Sequence, residues 1–140
     1  MMKKPVTTRL ASPAYIMLGY QALRKGTNNS VYMRGAIDMY FNEMVGEWVL
    51  PSTAKEREEY PRKVSAELKG DWDIVQVAFK ASAESEEQLS KISAYHQCSY
   101  AAALRKSIMY RIRRDYPAYD LWVDEGAKIE DLLTSSQPGK

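Results

Sequence analysis

The chain has 140 residues, of which 45% are hydrophobic and 27% charged, with a formal net charge of +2, one cysteine and one histidine. This is the composition of one globular domain and not of a disordered chain. No apolar run approaches the roughly 18 residues of a spanning helix, and Lys3 and Lys4 have no apolar signal core behind them, so a soluble, cytoplasmic protein without a membrane partner is expected. A lone Cys98 and a lone His96 supply neither a disulfide nor a zinc set, and there is no nucleophile-base pair and no Gly-rich phosphate loop. No enzyme activity, cofactor or metal is expected.

Val6, Thr8 and Leu10 alternate with Pro5, Thr7 and Arg9, which predicts a short strand with the first set buried and the second exposed. Pro5 lacks an N–H, so the strand belongs at an edge or in a two-stranded ribbon. Ser12 and Pro13 mark a helix start, with Ser12 as cap and Pro13 at the first helical position. That helix is predicted to run to about Lys25, to bury Leu18 and Ala22 with help from Tyr15 and Met17, and to end at Gly26. Asn28, Asn29 and Ser30 offer caps for a second helix, whose apolar positions Met33, Ile37, Tyr40, Phe41 and Met44 recur at helical spacing.

A connector follows over residues 46–72. It opens on Trp48, Val49, Leu50 and Pro51 and becomes strongly charged from Lys55, with some helix possible before Pro61. Alternation returns with Val75, Val77 and Phe79 against Gln76, Ala78 and Lys80. Ser82 can cap a third helix that carries Glu84, Glu86 and Glu87 in its first turn and Leu89, Ile92 and Tyr95 on its inner stripe. A fourth helix opens near Ser99, continues through Ala102, Leu104, Ile108 and Ile112, and stops before Pro117. Tyr116, Tyr119 and Trp122 are expected to pack back on this pair, and the chain from Thr134 onward to fray.

The two halves repeat one plan under a constant shift of 71 positions: Val6 falls on Val77, Arg9 on Lys80, Leu18 on Leu89, Asn28 on Ser99, Arg34 on Arg105 and Ile37 on Ile108. Neither copy is large enough to build a core alone, so the two are expected to pair. Charge is segregated. Up to Ile37 every charged side chain is basic, namely Lys3, Lys4, Arg9, Arg24, Lys25 and Arg34, and a second cluster comprises Arg105, Lys106, Arg111, Arg113 and Arg114. Such segregation predicts a basic face for a polyanion.

The strand Val6, Thr7, Thr8, Arg9, Leu10, the turn Gly26, Thr27, Asn28, Asn29, Ser30 and the run Arg34, Gly35, Ala36, Ile37 resemble the ribbon-helix-helix DNA-binding family of the Arc, MetJ and CopG repressors. The second copy is looser, with Gln97 in place of the Gly and Ala101 in place of the Ser. Both strands would belong to one polypeptide, which resembles the tandem form of the TraY type of conjugation protein. The resemblance implies a mainly α fold with a short two-stranded antiparallel ribbon, a tandem pseudo-dimer. Its parts would be a first unit at 1–45, the connector at 46–72, a second unit at 73–117 and a C-terminal extension at 118–140.

The implied function is sequence-specific binding of double-stranded DNA, the ribbon entering the major groove. The protein would be a transcriptional repressor or an accessory factor in plasmid or mobile-element transfer (a relaxosome role). Base contacts would come from Thr7, Arg9, Gln76, Ala78 and Lys80. Phosphates would be held by Lys3 and Lys4 and by the helix starts Asn28, Asn29, Ser30 and Ser99, Tyr100, Ala101. Because the two strands differ, the preferred site should be asymmetric. Further copies on adjacent sites or a DNA-processing protein are possible partners. The alternative is a protein-interaction module with a pseudo-symmetric helical core and aromatic anchors at Trp48, Tyr60, Trp72, Tyr119 and Trp122.

Overall fold

In the computed structural model the residues described are 5–46 and 71–135. Lys3, Lys4 and residues 47–70 of the connector, with Trp48 and Tyr60, lie outside them, while Trp72 is described and 36% exposed. The first strand, β1 (Val6–Ala11), leads directly into α1 (Ser12–Arg24); α2 (Asn29–Tyr40) follows and ends in a π-helical turn, Phe41–Val45. The second strand, β2 (Ile74–Phe79), is followed by α3 (Ala83–His96), α4 (Tyr100–Asp115), α5 (Tyr119–Asp124) and α6 (Ile129–Ser135). The fold is mainly α with one two-stranded antiparallel ribbon.

The register shows how the sequence shift is expressed in space. Thr7 lies directly opposite Ala78, the residue that the shift assigns to it, and the pairing runs outward through Thr8 opposite Val77 and Arg9 opposite Gln76 to Ala11 opposite Ile74. Ser12 N–H extends the ladder by donating to the Asp73 carbonyl at 2.8 Å. The helix starts obey the same shift, Ser12 matching Ala83 and Asn29 matching Tyr100.

Alternation in the strands makes one face of the ribbon the floor of the core. Thr8 and Leu10 from β1 and Val77 and Phe79 from β2 are buried, while Thr7, Arg9, Gln76 and Ala78 are exposed. Onto the inner face pack Met17 and Leu18 of α1, Met33 and Ile37 of α2, Leu89 and Ile92 of α3, and Leu104, Ile108 and Ile112 of α4, all essentially sealed from solvent. Sealing a side chain of this size contributes roughly 1.5–3 kcal/mol. The principal helix–helix contact is α2 against α4, the second helix of each copy.

The ends of the elements are chemically explicit. Asn28 Oδ1 accepts from Val31 N–H at 2.9 Å, and Ser99 Oγ accepts from Ala102 N–H at 3.1 Å, so the same cap recurs at equivalent positions. Ser82 caps α3 in the same way through Ser85 N–H. Gly26 has φ +68°, and Gln97, its counterpart, adopts φ 52° in spite of its side chain. The left-handed turn is therefore kept where the glycine is not.

Several expectations are corrected. Ser12 is not a cap: Ala11 precedes α1 without a side-chain cap bond, and Ser12 and Pro13 are its first two residues. Tyr15 and Tyr95 face outward, at 40% and 44% exposure, and Met44 is 48% exposed because the π-helical turn rotates it off the α2 stripe. Polar and small residues take the buried places instead, among them Gln21, Ser90, Ser93 and Ala94. Thr134 and Ser135 still belong to α6, and residues 136–140 lie outside the described residues; as expected, Tyr119 and Trp122 pack back, and Ala127 and Leu132 join them in the core. Tyr20 Oη donates to the Leu132 carbonyl at 3.1 Å, which ties the extension to α1, in the other copy. No helix among the described residues is long and apolar enough to cross a membrane.

Candidate nucleic-acid interface

The exposed face of the ribbon brings four of the five expected base-contacting residues together. Thr7 and Ala78 form its central pair, Arg9 and Gln76 the next pair toward the Ala11 end, and all four are exposed. Lys80, the fifth, is also exposed and lies one residue beyond β2, where continuing the register sets it against Pro5. The side chains of Arg9, Gln76 and Lys80 hold no hydrogen bond or ion pair to another described residue.

One end of this face is bounded by the start of α4. A cleft of about 410 Å3 is lined by Thr7, Thr8, Arg9 and Gln76 from the ribbon and by Ser99, Tyr100, Ala101, Ala102 and Arg105 from α4. Two buried side chains lock its walls together. Thr8 Oγ1 donates to the Ala101 carbonyl at 2.6 Å, and Arg105 Nε donates to the Arg9 carbonyl at 2.8 Å. Arg105 is only 6% exposed and Thr8 2%. The inward-facing threonine in an otherwise apolar stripe was a visible signal in the sequence; the burial of Arg105 was not, because a helical arginine ordinarily reads as a solvated one.

The expected phosphate contacts divide. Ser99 spends its hydroxyl on the cap, Tyr100 Oη is hydrogen-bonded to the Ser90 hydroxyl, and the Ala101 carbonyl holds Thr8. What this segment offers an anion is its backbone: the first N–H groups of a helix have no intrahelical partner and sit at the positive end of the dipole. Asn28, Asn29 and Ser30 form the equivalent start of α2, with Asn28 and Ser30 exposed, but they do not line this cleft. Lys3 and Lys4 lie outside the described residues.

The second basic cluster does not form a basic face. Arg111 lies on the Tyr32 ring, 3.9 Å from its centroid, with Nη1 donating to the Tyr32 carbonyl at 2.7 Å and Nε 3.4 Å from Asp115. Lys25 also reaches Asp115, at 3.7 Å, and Tyr32 Oη donates to the same carboxylate at 2.7 Å. Burial and that carboxylate push the Tyr32 phenol well above its ordinary range. Arg113 pairs with Asp120 at 3.1 Å, and Arg114 pairs with Glu43, which also accepts from Tyr110 Oη. Acids thus pair with Arg111, Arg113 and Arg114, two of them close by in sequence and Glu43 from the other copy, while Lys106 is exposed with no acid partner among the described residues.

Cys98 and His96 are parts of the helix packing. Cys98 is buried, and that burial pushes its thiol up against the opposing pull of Lys106 and Arg105. His96 Nε2 lies 2.6 Å from Tyr40 Oη, and burial, with Lys106 nearby, lowers its pKa. Among the described residues no group of three His, Cys, Asp or Glu side chains could hold a metal ion. No protein family matches the chain, and neither a curated protein nor a solved structure matches it.

Proposed function

We propose that this protein is a non-catalytic, sequence-specific double-stranded DNA-binding protein of ribbon-helix-helix character, in which one chain supplies both strands of a ribbon that enters the major groove. The observation that carries the reading is the exposed ribbon face, where Arg9 and Gln76 stand side by side with no partner among the described residues. A two-stranded ribbon fits the major groove, and arginine and glutamine match the edges of guanine and adenine there. The backbone N–H groups at the starts of α2 and α4 would hold flanking phosphates. Since Thr7 and Arg9 face Ala78 and Gln76 across the ribbon, the site is asymmetric.

The test is duplex binding by the full chain over a salt series. Binding through several cationic and backbone contacts weakens steeply between about 50 and 200 mM salt; a salt-independent affinity, or none at low salt, would remove the reading. The biological role is repression or an accessory part in plasmid or mobile-element transfer. A footprint at a promoter supports the first and one at a transfer origin the second. The alternative of a protein-interaction module draws on the exposed Leu121, Ile129 and Leu133 of the C-terminal extension, at 59%, 51% and 65% exposure. Further copies bound on adjacent DNA would be one use of that surface.

A further inference from the structure

The two ends of the ribbon's exposed face differ both in what they present and in what holds them. Toward Ala11, Arg9 and Gln76 form a directly opposed pair. Opposed side chains on one face start only about 5 Å apart at Cβ. They therefore address neighbouring base pairs together. Toward Val6, Lys80 is unpaired across the ribbon among the described residues, since the register sets it against Pro5, which has no polar side chain. The central pair Thr7 and Ala78 offers methyl groups and one hydroxyl.

The support beneath the two ends is equally uneven. Buried Arg105 grips the carbonyl of Arg9 itself, and buried Thr8, its neighbour, is fastened to α4. The shift assigns Phe79 to the position of Thr8 and Arg34 to the position of Arg105; Phe79 has no hydroxyl to donate, and Arg34 is exposed. The Arg9 end is thus braced by two long-range hydrogen bonds that have no counterpart in these two residues. A base-reading side chain discriminates only as well as its backbone is held in place.

We infer that sequence discrimination is one-ended: the Arg9 and Gln76 pair reads a G·C pair beside an A·T pair on one side of the ribbon's midpoint, and Lys80 adds affinity with little base preference. Thr8 and Arg105 are positioning residues for this readout. The inference rests on the proposed insertion of the ribbon into duplex DNA.

The experiment is selection of bound duplexes from a random pool with the full chain and with Arg9→Ala, Gln76→Ala, Lys80→Ala and Thr8→Val, circular dichroism confirming the fold of each. The expected result is a preferred sequence whose strongest positions are adjacent and lie to one side. Arg9→Ala and Gln76→Ala each erase the preference at one of them, by about tenfold or more. Thr8→Val flattens both while leaving affinity for random DNA, and Lys80→Ala weakens all sequences alike. Should Thr8→Val fail to fold, the exposed Arg9 and Gln76 variants carry the test by themselves. A two-fold symmetric preferred sequence, or a Lys80→Ala variant that alters base preference as much as Arg9→Ala, overturns the one-ended readout while leaving DNA binding intact. Failure of the unaltered chain to retain any duplex at low salt overturns the proposed function itself.

Discussion

At the scale of single residues, the structure separates glycines that look alike in the sequence. A Cβ on Gly35 would meet Arg111 Nη1 at 2.4 Å, while one on Gly19 would find nothing nearer than Asn29 Oδ1 at 4.0 Å. Alanine is favoured over glycine in a helix by roughly 1 kcal/mol, whereas displacing a charge-assisted hydrogen bond costs roughly 1.5–3 kcal/mol. Gly19→Ala should therefore raise stability by up to about 1 kcal/mol and Gly35→Ala lower it by a similar amount, read from chemical denaturation midpoints. The paired turns give a second contrast. Gln97 occupies a left-handed conformation that favours glycine, so Gln97→Gly should stabilise by about 1 kcal/mol, and Gly26→Ala, although it would meet nothing within 4 Å, should destabilise through backbone strain alone. Opposite signs in either pair would contradict the geometry. The sequence revealed that Gln97 replaces a glycine. It did not reveal that the conformation survives the replacement, with Cys98 N–H donating to the Ser93 carbonyl as Thr27 N–H donates to the Ala22 carbonyl.

His96 adds a pH dependence of known sign. Its folded pKa lies below the ordinary value, because burial disfavours the charged form, so the unfolded state binds more protons as pH falls below about 6.5. Its contribution to stability is complete above that pH and is lost as pH falls toward the folded pKa. Thermal unfolding of the native chain should therefore lose more stability between pH 7.5 and 5 than that of His96→Gln, and equal losses would show that His96 does not titrate differently on folding.

Among the elements, the helices and the ribbon were legible and their polar attachments were not. Alternation located both strands and their buried faces, and caps at Asn28, Ser82 and Ser99 were readable as local chemistry. Arg105 and Arg114 were misread as part of one basic face because their acceptors, the Arg9 carbonyl and Glu43, lie far away in sequence, whereas Asp115, four residues after Arg111, and Asp120, seven after Arg113, were within reach of local spacing. Period and spacing report which side of a helix is apolar. They do not report which acid arrives from another element. Ile108 tests the packing of α4 into the shared core: Ile108→Ala should cost about 2–5 kcal/mol. A loss below 1 kcal/mol would mean that the contact between α2 and α4 is not the centre of the core.

For the whole molecule, the repeat in the sequence becomes an arrangement in which the second strand of the ribbon, the second pair of helices and the C-terminal extension close around the first. Thr7 opposite Ala78 marks the midpoint, and the tie from Tyr20 to Leu132 fastens the extension across the copies. A single buried core shared by both copies should unfold in one transition, with circular dichroism and tryptophan fluorescence coinciding; two separated transitions would show that each copy folds independently. The departures from the repeat include the ribbon face and its supports, where Pro5, Thr8 and Arg9 are answered by Gln76, Phe79 and Lys80.

The central claim, a ribbon reading the major groove, is tested most directly by methylation interference on a selected duplex. Methylation of guanine N7 marks the major groove, since N7 is the acceptor that arginine would grip there. Methylation at one guanine should abolish binding of the native chain, and the same mark should lose its effect on the residual binding of Arg9→Ala. Binding that tolerates N7 methylation throughout the site would contradict the account.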